Sequence, residues 1–429
     1  MELAIILTLF LSFFIMLAIG IPISLSVALA SFFSLLHLFP ASSAALITAQ
    51  KMLNALDNFG LLAIPFFILA GNIMNTGGIA IRLINLSRLF TGKLPGGLSH
   101  TNILANTLFG AISGSAASSA AAIGSIMSPI QRKENYDMNL AAAVNITSCT
   151  AGLLIPPSNV LILYSLVSGG TSIAALFVAG YLPGFLLCFS LMLITAYMSR
   201  KNKVVSSQKI EKLKVIWEAL PSLFLIILVI GGIIAGVFTA TEASGIAVLY
   251  SLILSFCYKM MDREKLFHVL IQSAKASSIV LFLVSSSSVM SWVMAMANVP
   301  QFISEFLLSF SDSPWVVLIS INIILLVVGT FLDFTPAVLI FTPIFLPVTE
   351  SLGIDPVHFG IIMIFNLSIG ICTPPVGNAL FIGCSVANVK IHHVVSKLLP
   401  LYAILILDLL IVVLWPNLSL WLPKVFGLL

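Results

Sequence analysis

Charge is scarce in this 429-residue chain: 8% of its residues are Asp, Glu, Lys or Arg, where soluble domains carry about a quarter. With 60% hydrophobic residues and a mean hydropathy of +1.16, an ordinary soluble domain is excluded. Cysteine is scarce too. The five thiols (Cys149, Cys188, Cys257, Cys372, Cys384) lack paired metal-ligand spacing and read as buried free cysteines. The six histidines lie near predicted helix ends, so Ser113-Gly114-Ser115 has no evident buried base and a serine hydrolase is disfavoured. No Gly-rich loop ends in a phosphate-binding lysine, so the chain does not hydrolyse ATP itself. The start, Met1-Glu2-Leu3-Ala4, lacks the basic region and cleavage site of a signal peptide, and the first apolar segment is expected to persist as a helix.

What is present instead is a succession of apolar runs of about 20 residues, the length that crosses a bilayer as helix, from Leu3 to Leu422. The chain reads as an all-α, polytopic membrane protein. Six of its 19 Lys and Arg residues fall between Arg200 and Lys214, with Glu211 the single acid there. A basic loop stays cytoplasmic, so 200–214 is expected to be a cytoplasmic linker between two halves. No folded domain surrounds it, which argues against nucleic-acid binding.

Two apolar segments are interrupted by a Pro-Pro pair preceded by Gly: Ala151-Gly152-Leu153-Leu154-Ile155-Pro156-Pro157-Ser158, and Ile369 to Asn378 with Pro374-Pro375. Proline removes a donor and clashes with the preceding turn, leaving carbonyls that hydrocarbon cannot satisfy. A cation is a natural acceptor of those oxygens. Pro156 and Pro374 are 218 residues apart, as are Gly152 and Gly370, and Asp137 and Asp355; Gly110 and Gly329 are 219 apart. Such duplication in a membrane protein points to inverted repeats with ion and substrate sites near the midplane. The repeats are expected at 1–199 and 215–429, either side of the linker. In the first, helices near 3–38, 46–75 and 78–92 precede a hairpin at about 98–131, a broken helix at about 139–169 and a closing helix at 173–199. In the second, helices near 219–258, 264–297 and 315–328 precede a hairpin at about 329–350, a broken helix at about 357–388 and a closing helix.

Both hairpins are expected to be re-entrant, with non-helical tips at Phe109 to Ser119 and Gly329 to Pro336. For the Ser/Ala/Gly run of the first tip, tight helix packing is the competing explanation. Acids within apolar segments are few: Glu242, Asp333 and Asp408. A carboxylate in the membrane costs about 2.5–3.5 kcal/mol and marks a site by default, which favours Asp333 at its tip. A helix N-terminus accounts equally well for Glu242, and Asp408 is expected at a partner contact.

The pattern Gly110-Ala111-Ile112-Ser113-Gly114-Ser115 with Pro156-Pro157-Ser158, Asp333-Phe334-Thr335-Pro336, Thr373-Pro374-Pro375-Val376-Gly377 and Phe238-Thr239-Ala240-Thr241-Glu242-Ala243 resembles the large membrane (M) subunit of TRAP (tripartite ATP-independent periplasmic) transporters. Within that family it is most similar to sialic-acid-type members. The resemblance spans essentially the whole chain. It implies an elevator-type scaffold and transport core in the bacterial inner membrane, importing an organic acid, sialic acid being favoured, with two or more sodium ions. It also implies two partners, a separate small membrane (Q) subunit and a periplasmic substrate-binding protein (P subunit). On that basis one sodium site takes Ser113, Gly114, Ser115, Asn145 and the carbonyls from Gly152 to Pro156. The other takes Gly329, Asp333, Gly370, Thr373 and Pro374. Substrate contacts are assigned to Ser113, Ser158 and Asp333. A C4-dicarboxylate cargo, a stand-alone sodium/dicarboxylate symporter and a channel remain as alternatives.

Overall fold

The computed structural model describes residues 2–199, 211–310 and 313–429; most of the basic linker, including Arg200, Lys201, Lys203 and Lys209, lies outside the described residues. Among the described residues all regular structure is helical, and seven helices are long and apolar enough to cross a membrane. Their outer faces are apolar. Leu3, Leu7, Leu11 and Phe14 lie exposed along one stripe of Glu2–Ala18, as do Phe185, Phe189 and Leu193 on Ile173–Met198. A surface of that kind is solvated by lipid tails rather than water.

Local chemistry divides two segments that hydropathy alone reads as continuous. Gly20, at φ +89°, and Pro22 separate Glu2–Ala18 from Ile23–Leu35. Gly236, at φ +69°, ends Lys212–Ile234, and a capping box restarts the chain as Ala240–Cys257. In that box Glu242 Oε2 accepts from the Thr239 amide at 2.8 Å and from its hydroxyl at 2.9 Å, so the Glu242 carboxylate serves a helix start.

Each half then supplies a hairpin. The first has arms Gly97–Ser113 and Ala116–Lys133, turning at Gly114 with φ +60°. The second has arms Pro314–Gly329 and Phe334–Ser351. It therefore begins 15 residues earlier than the expected 329–350, because its strongly apolar first arm is indistinguishable by composition from a free-standing span. The broken helices follow: Met138–Ser148 continuing through Ala151–Leu154, then Asn159–Val167, and Pro356–Gly370, then Asn378–Ala387. Asp137 and Asp355 are N-caps of the two, accepting from the amides of Asn139 and Val357 at 3.0 and 2.8 Å.

Hairpin and broken helix cross at a glycine pair in both halves. A Cβ on Gly110 would lie 2.4 Å from Gly152 Cα, and a Cβ on Gly370 would lie 2.6 Å from Gly329 Cα, so backbone meets backbone beside each break. The halves are also interlocked. Asn159–Val167 packs on the second hairpin's returning arm, and Asn378–Ala387 on the first hairpin's returning arm. Around this core, Ala63–Thr76, Ala240–Cys257 and Arg263–Met296 pack together as part of an outer layer.

The closing helices Ile173–Met198 and Ile391–Leu414 meet at a buried pair, Ser190 donating to Asp408 Oδ1 at 2.8 Å. Those residues are themselves 218 apart. Asp408 is thus buried inside the fold, where a polar partner within the same chain holds it, instead of at the expected partner surface. Four cysteines are buried as expected; Cys257, on the last turn of its helix, is exposed.

Candidate functional site

The two hairpin tips line one cavity of about 340 Å³. Ser113, Gly114 and Ser115 come from the first tip, Asp333, Phe334 and Thr335 from the second. Asn159 and Asn378 join them, each the first residue of the helix that resumes after a Pro-Pro break. The outer layer closes the cavity with Ile64, Ile68, Gly71 and Asn72 from one helix and Ala276, Ile279 and Val280 from another. Asn72 is fixed there, donating to Ser273 Oγ at 2.8 Å.

The polar atoms in this cavity are incompletely partnered. Ser113 Oγ and Asn159 Oδ1 are buried without a hydrogen-bond partner, an arrangement that costs about 1–3 kcal/mol per group. Asp333 caps Phe334–Ser351, its Oδ1 accepting from the Phe334 amide at 2.9 Å, and the Asn378 amide sits against the carboxylate. Among the described residues no Lys, Arg or His lines the cavity. Hydroxyl and amide oxygens beside one uncompensated carboxylate form a donor set suited to a hard monovalent cation. Among the described residues no three His, Cys, Asp or Glu gather as metal ligands, which sets the cavity apart from a transition-metal centre.

Of the residues expected at the site, Ser113, Gly114, Ser115 and Asp333 line this cavity. Ser158 does not. Its hydroxyl turns into the break and donates to the Leu153 carbonyl at 2.6 Å. Asn145 is also elsewhere, in a buried clasp between hairpin and broken helix. It accepts from Asn106 Nδ2 and donates to the Ala120 carbonyl, both at 3.0 Å. The second half has a similar clasp, Asn366 Nδ2 donating to Asn322 Oδ1 at 2.7 Å. Gly152, Gly329 and Gly370 form the glycine crossings. Pro156 and Pro374 begin cis Pro-Pro bonds, and Thr373 Oγ1 donates to the Ile369 carbonyl at 2.8 Å.

The breaks also satisfy several of their own carbonyls. Besides Leu153, the Ile371 carbonyl accepts from the Ala379 amide at 3.1 Å and the Cys372 carbonyl accepts from the Tyr402 hydroxyl. Tip and break are joined directly, the Val376 amide donating to the Thr330 carbonyl at 3.2 Å. Among the cavity-lining residues, the buried side-chain oxygens without a partner are Ser113 Oγ and Asn159 Oδ1. Asn159 and Asn378 were not anticipated from sequence, although they follow the two Pro-Pro motifs at a separation of 219.

The sequence matches the family described as tripartite ATP-independent periplasmic transporter, DctM component, over residues 10–418. The chain belongs to the DctM family. As a DctM component it is a multi-pass inner-membrane protein of transport rather than of catalysis. It is 56% identical to YgiK of Salmonella typhimurium, over 98% of both chains. It is 37% identical to the sialic acid TRAP transporter large permease SiaM of Vibrio cholerae, over 95% of this chain and 96% of that one. DctM relatives at 39% and 37% identity are named for other cargoes, 2,3-diketo-L-gulonate in Escherichia coli and C4-dicarboxylate in Pseudomonas aeruginosa. The fold is also similar to the YdaH transporter of Alcanivorax borkumensis, with a TM-score of 0.66 at 12% identity over 87% of this chain and 89% of that one.

Proposed function

We propose that this DctM chain carries an organic acid inward with sodium, receiving it from a periplasmic binding protein and working with a small membrane subunit. The observation that carries the reading is the shared cavity, lined by Ser113, Asn159 and Asp333 with no Lys, Arg or His among the described lining residues, and with Ser113 Oγ and Asn159 Oδ1 buried without a partner. An anion entering beside Asp333 meets repulsion unless cations arrive with it. Coupling follows from that electrostatic requirement. With each tip contributing to one sodium site, two sodium ions and a singly charged acid make import electrogenic. N-acetylneuraminate is the first candidate cargo; a C4-dicarboxylate or 2,3-diketo-L-gulonate fits the same polar chemistry.

Alternating access is assigned to an elevator movement of inverted repeats. The outer helices offer Ile64, Ile68, Ile279 and Val280 to the cavity, an apolar face past which the core can slide without exchanging hydrogen bonds there. Reconstituted with both partners in proteoliposomes, the chain is expected to give saturable acid uptake that requires a sodium gradient and accelerates with an inside-negative potential. Full uptake without the binding protein identifies a stand-alone symporter. Non-saturable flux without counterflow identifies a channel.

A further inference from the structure

A second cavity, of about 520 Å³, lies along the same boundary between outer layer and core. Arg263–Met296 lends residues 276, 279 and 280 to the central cavity and residues between 284 and 295 to this one. Asn159–Val167 lends Asn159 and Leu163 to the first, Leu166 and Val167 to the second. The two spaces are therefore stacked in order along shared helices.

Their direction follows from chain length. Five residues separate Val167 from the start of Ile173–Met198, whose other end leads to the basic linker. A 26-residue helix is about 39 Å long, so the second cavity lies at the end of the molecule away from the linker. By the positive-inside bias that is the outer side.

Its chemistry complements the central cavity. Lys51 lines it with the ammonium 5.0 Å from the centroid of the Trp292 ring, and among the described residues it is the sole Lys, Arg or His lining either space. Asp57, on the same wall, is exposed, and no ion pair to Lys51 occurs among the described residues. Ser287, 3% exposed, also lines this cavity, and its Oγ is buried without a hydrogen-bond partner. An ammonium steadied on an aromatic face and a buried, unpaired hydroxyl are donors in want of an anionic acceptor.

We infer that this cavity is an anteroom that binds the anionic head group of the cargo, with Lys51 and Ser287 donating, before the cargo passes to the central cavity. The inference rests on the proposed function, and names where the acid finds a positive charge that the Asp333 cavity lacks.

The test uses the complete transporter, with both partners, in proteoliposomes under a sodium gradient. The probes are N-acetylneuraminate, succinate, 2,3-diketo-L-gulonate and isethionate. Lys51→Gln is expected to raise KM for the transported acid about five- to tenfold, leaving kcat and sodium activation near the parent, while Lys51→Arg restores most of the affinity. In a Cys257→Ser background, Ser288→Cys is expected to react with an impermeant thiol reagent from outside, and more slowly under saturating acid. That protection assay retains Lys51 and so reads the site even if Lys51→Gln fails to assemble. A KM unchanged in Lys51→Gln, or absent protection in a parent that transports, overturns the anteroom alone. A parent that takes up none of the four acids removes the proposed function, and the anteroom with it.

Discussion

The two hairpin tips hold matching places and carry different chemistry. Each lies where a glycine crossing brings its hairpin against a broken helix, and each faces an Asn that opens the next helical segment. The first tip is neutral, offering an unpartnered Ser113 hydroxyl and a left-handed Gly114 whose Cβ would lie 2.7 Å from the Pro157 carbonyl. The second is charged, and its Asp333 doubles as a helix cap. Duplication thus fixed the backbone while side chains diverged. The backbone contacts are sterically absolute, whereas a cation site needs only enough oxygens, supplied by either half. In the proposed cation site the second tip would carry the charge and the first tip would add a neutral oxygen.

The steepest way to probe the comparison is through the crossings. Gly110→Ala forces a Cβ within 2.4 Å of Gly152 Cα, whereas Gly329→Ala places one at 3.1 Å from Gly370 Cα. The first cannot be relieved by a rotamer change, and overpacking costs about 1–3 kcal/mol or more. Gly110→Ala is expected to lower the Tm and yield of purified protein well below Gly329→Ala. Equal stability of the two variants breaks the expectation that Gly110 tolerates a Cβ less well than Gly329 does.

Removal of the charge comes next. Asp333→Asn keeps shape and cap acceptor, and should raise the sodium concentration for half-maximal uptake about tenfold, the scale of one charged interaction, with little change in Tm. Ser113→Ala deletes a neutral oxygen and should raise it about three- to fivefold. Sodium curves matching the parent for both variants remove the tips from ion binding. A larger effect from Ser113→Ala than from Asp333→Asn reverses the assignment of roles. The smallest effect belongs to Asp408→Asn, which can still accept from Ser190. Its sodium activation should stay within about twofold of the parent, and a shift as large as that of Asp333→Asn makes Asp408 part of the coupling machinery.

Much of this architecture is legible in the sequence because Pro-Pro, Gly and Asp act on the backbone within a few residues of themselves. The breaks, the caps at Asp137 and Asp355 and the turn at Gly114 are local events, and their 218-residue repetition exposes the duplication. Features that depend on direction or partner are not legible in that way. Ser158 sits in the right motif, yet the course of the break turns its hydroxyl to Leu153. Asn145 has the right residue type and depth, yet Asn106 and Ala120 occupy its amide. Asp408 reads as an isolated acid until the fold brings Ser190 to it. The first arm of the second hairpin is hidden for a different reason, since Pro314–Gly329 has no polar residue pattern to distinguish it from a lipid-facing span.

The interlocking of the halves constrains how the molecule can be made. Asn159–Val167 finds its packing surface on Phe334–Ser351, synthesised more than 150 residues later, and Asn378–Ala387 returns the favour to Ala116–Lys133. During biosynthesis the first hairpin and its broken helix must wait in the bilayer with unfilled surfaces until the second half is inserted. Expressed as two polypeptides divided at the linker, the halves should be degraded singly and rescued together, so the unit of quality control is the whole chain.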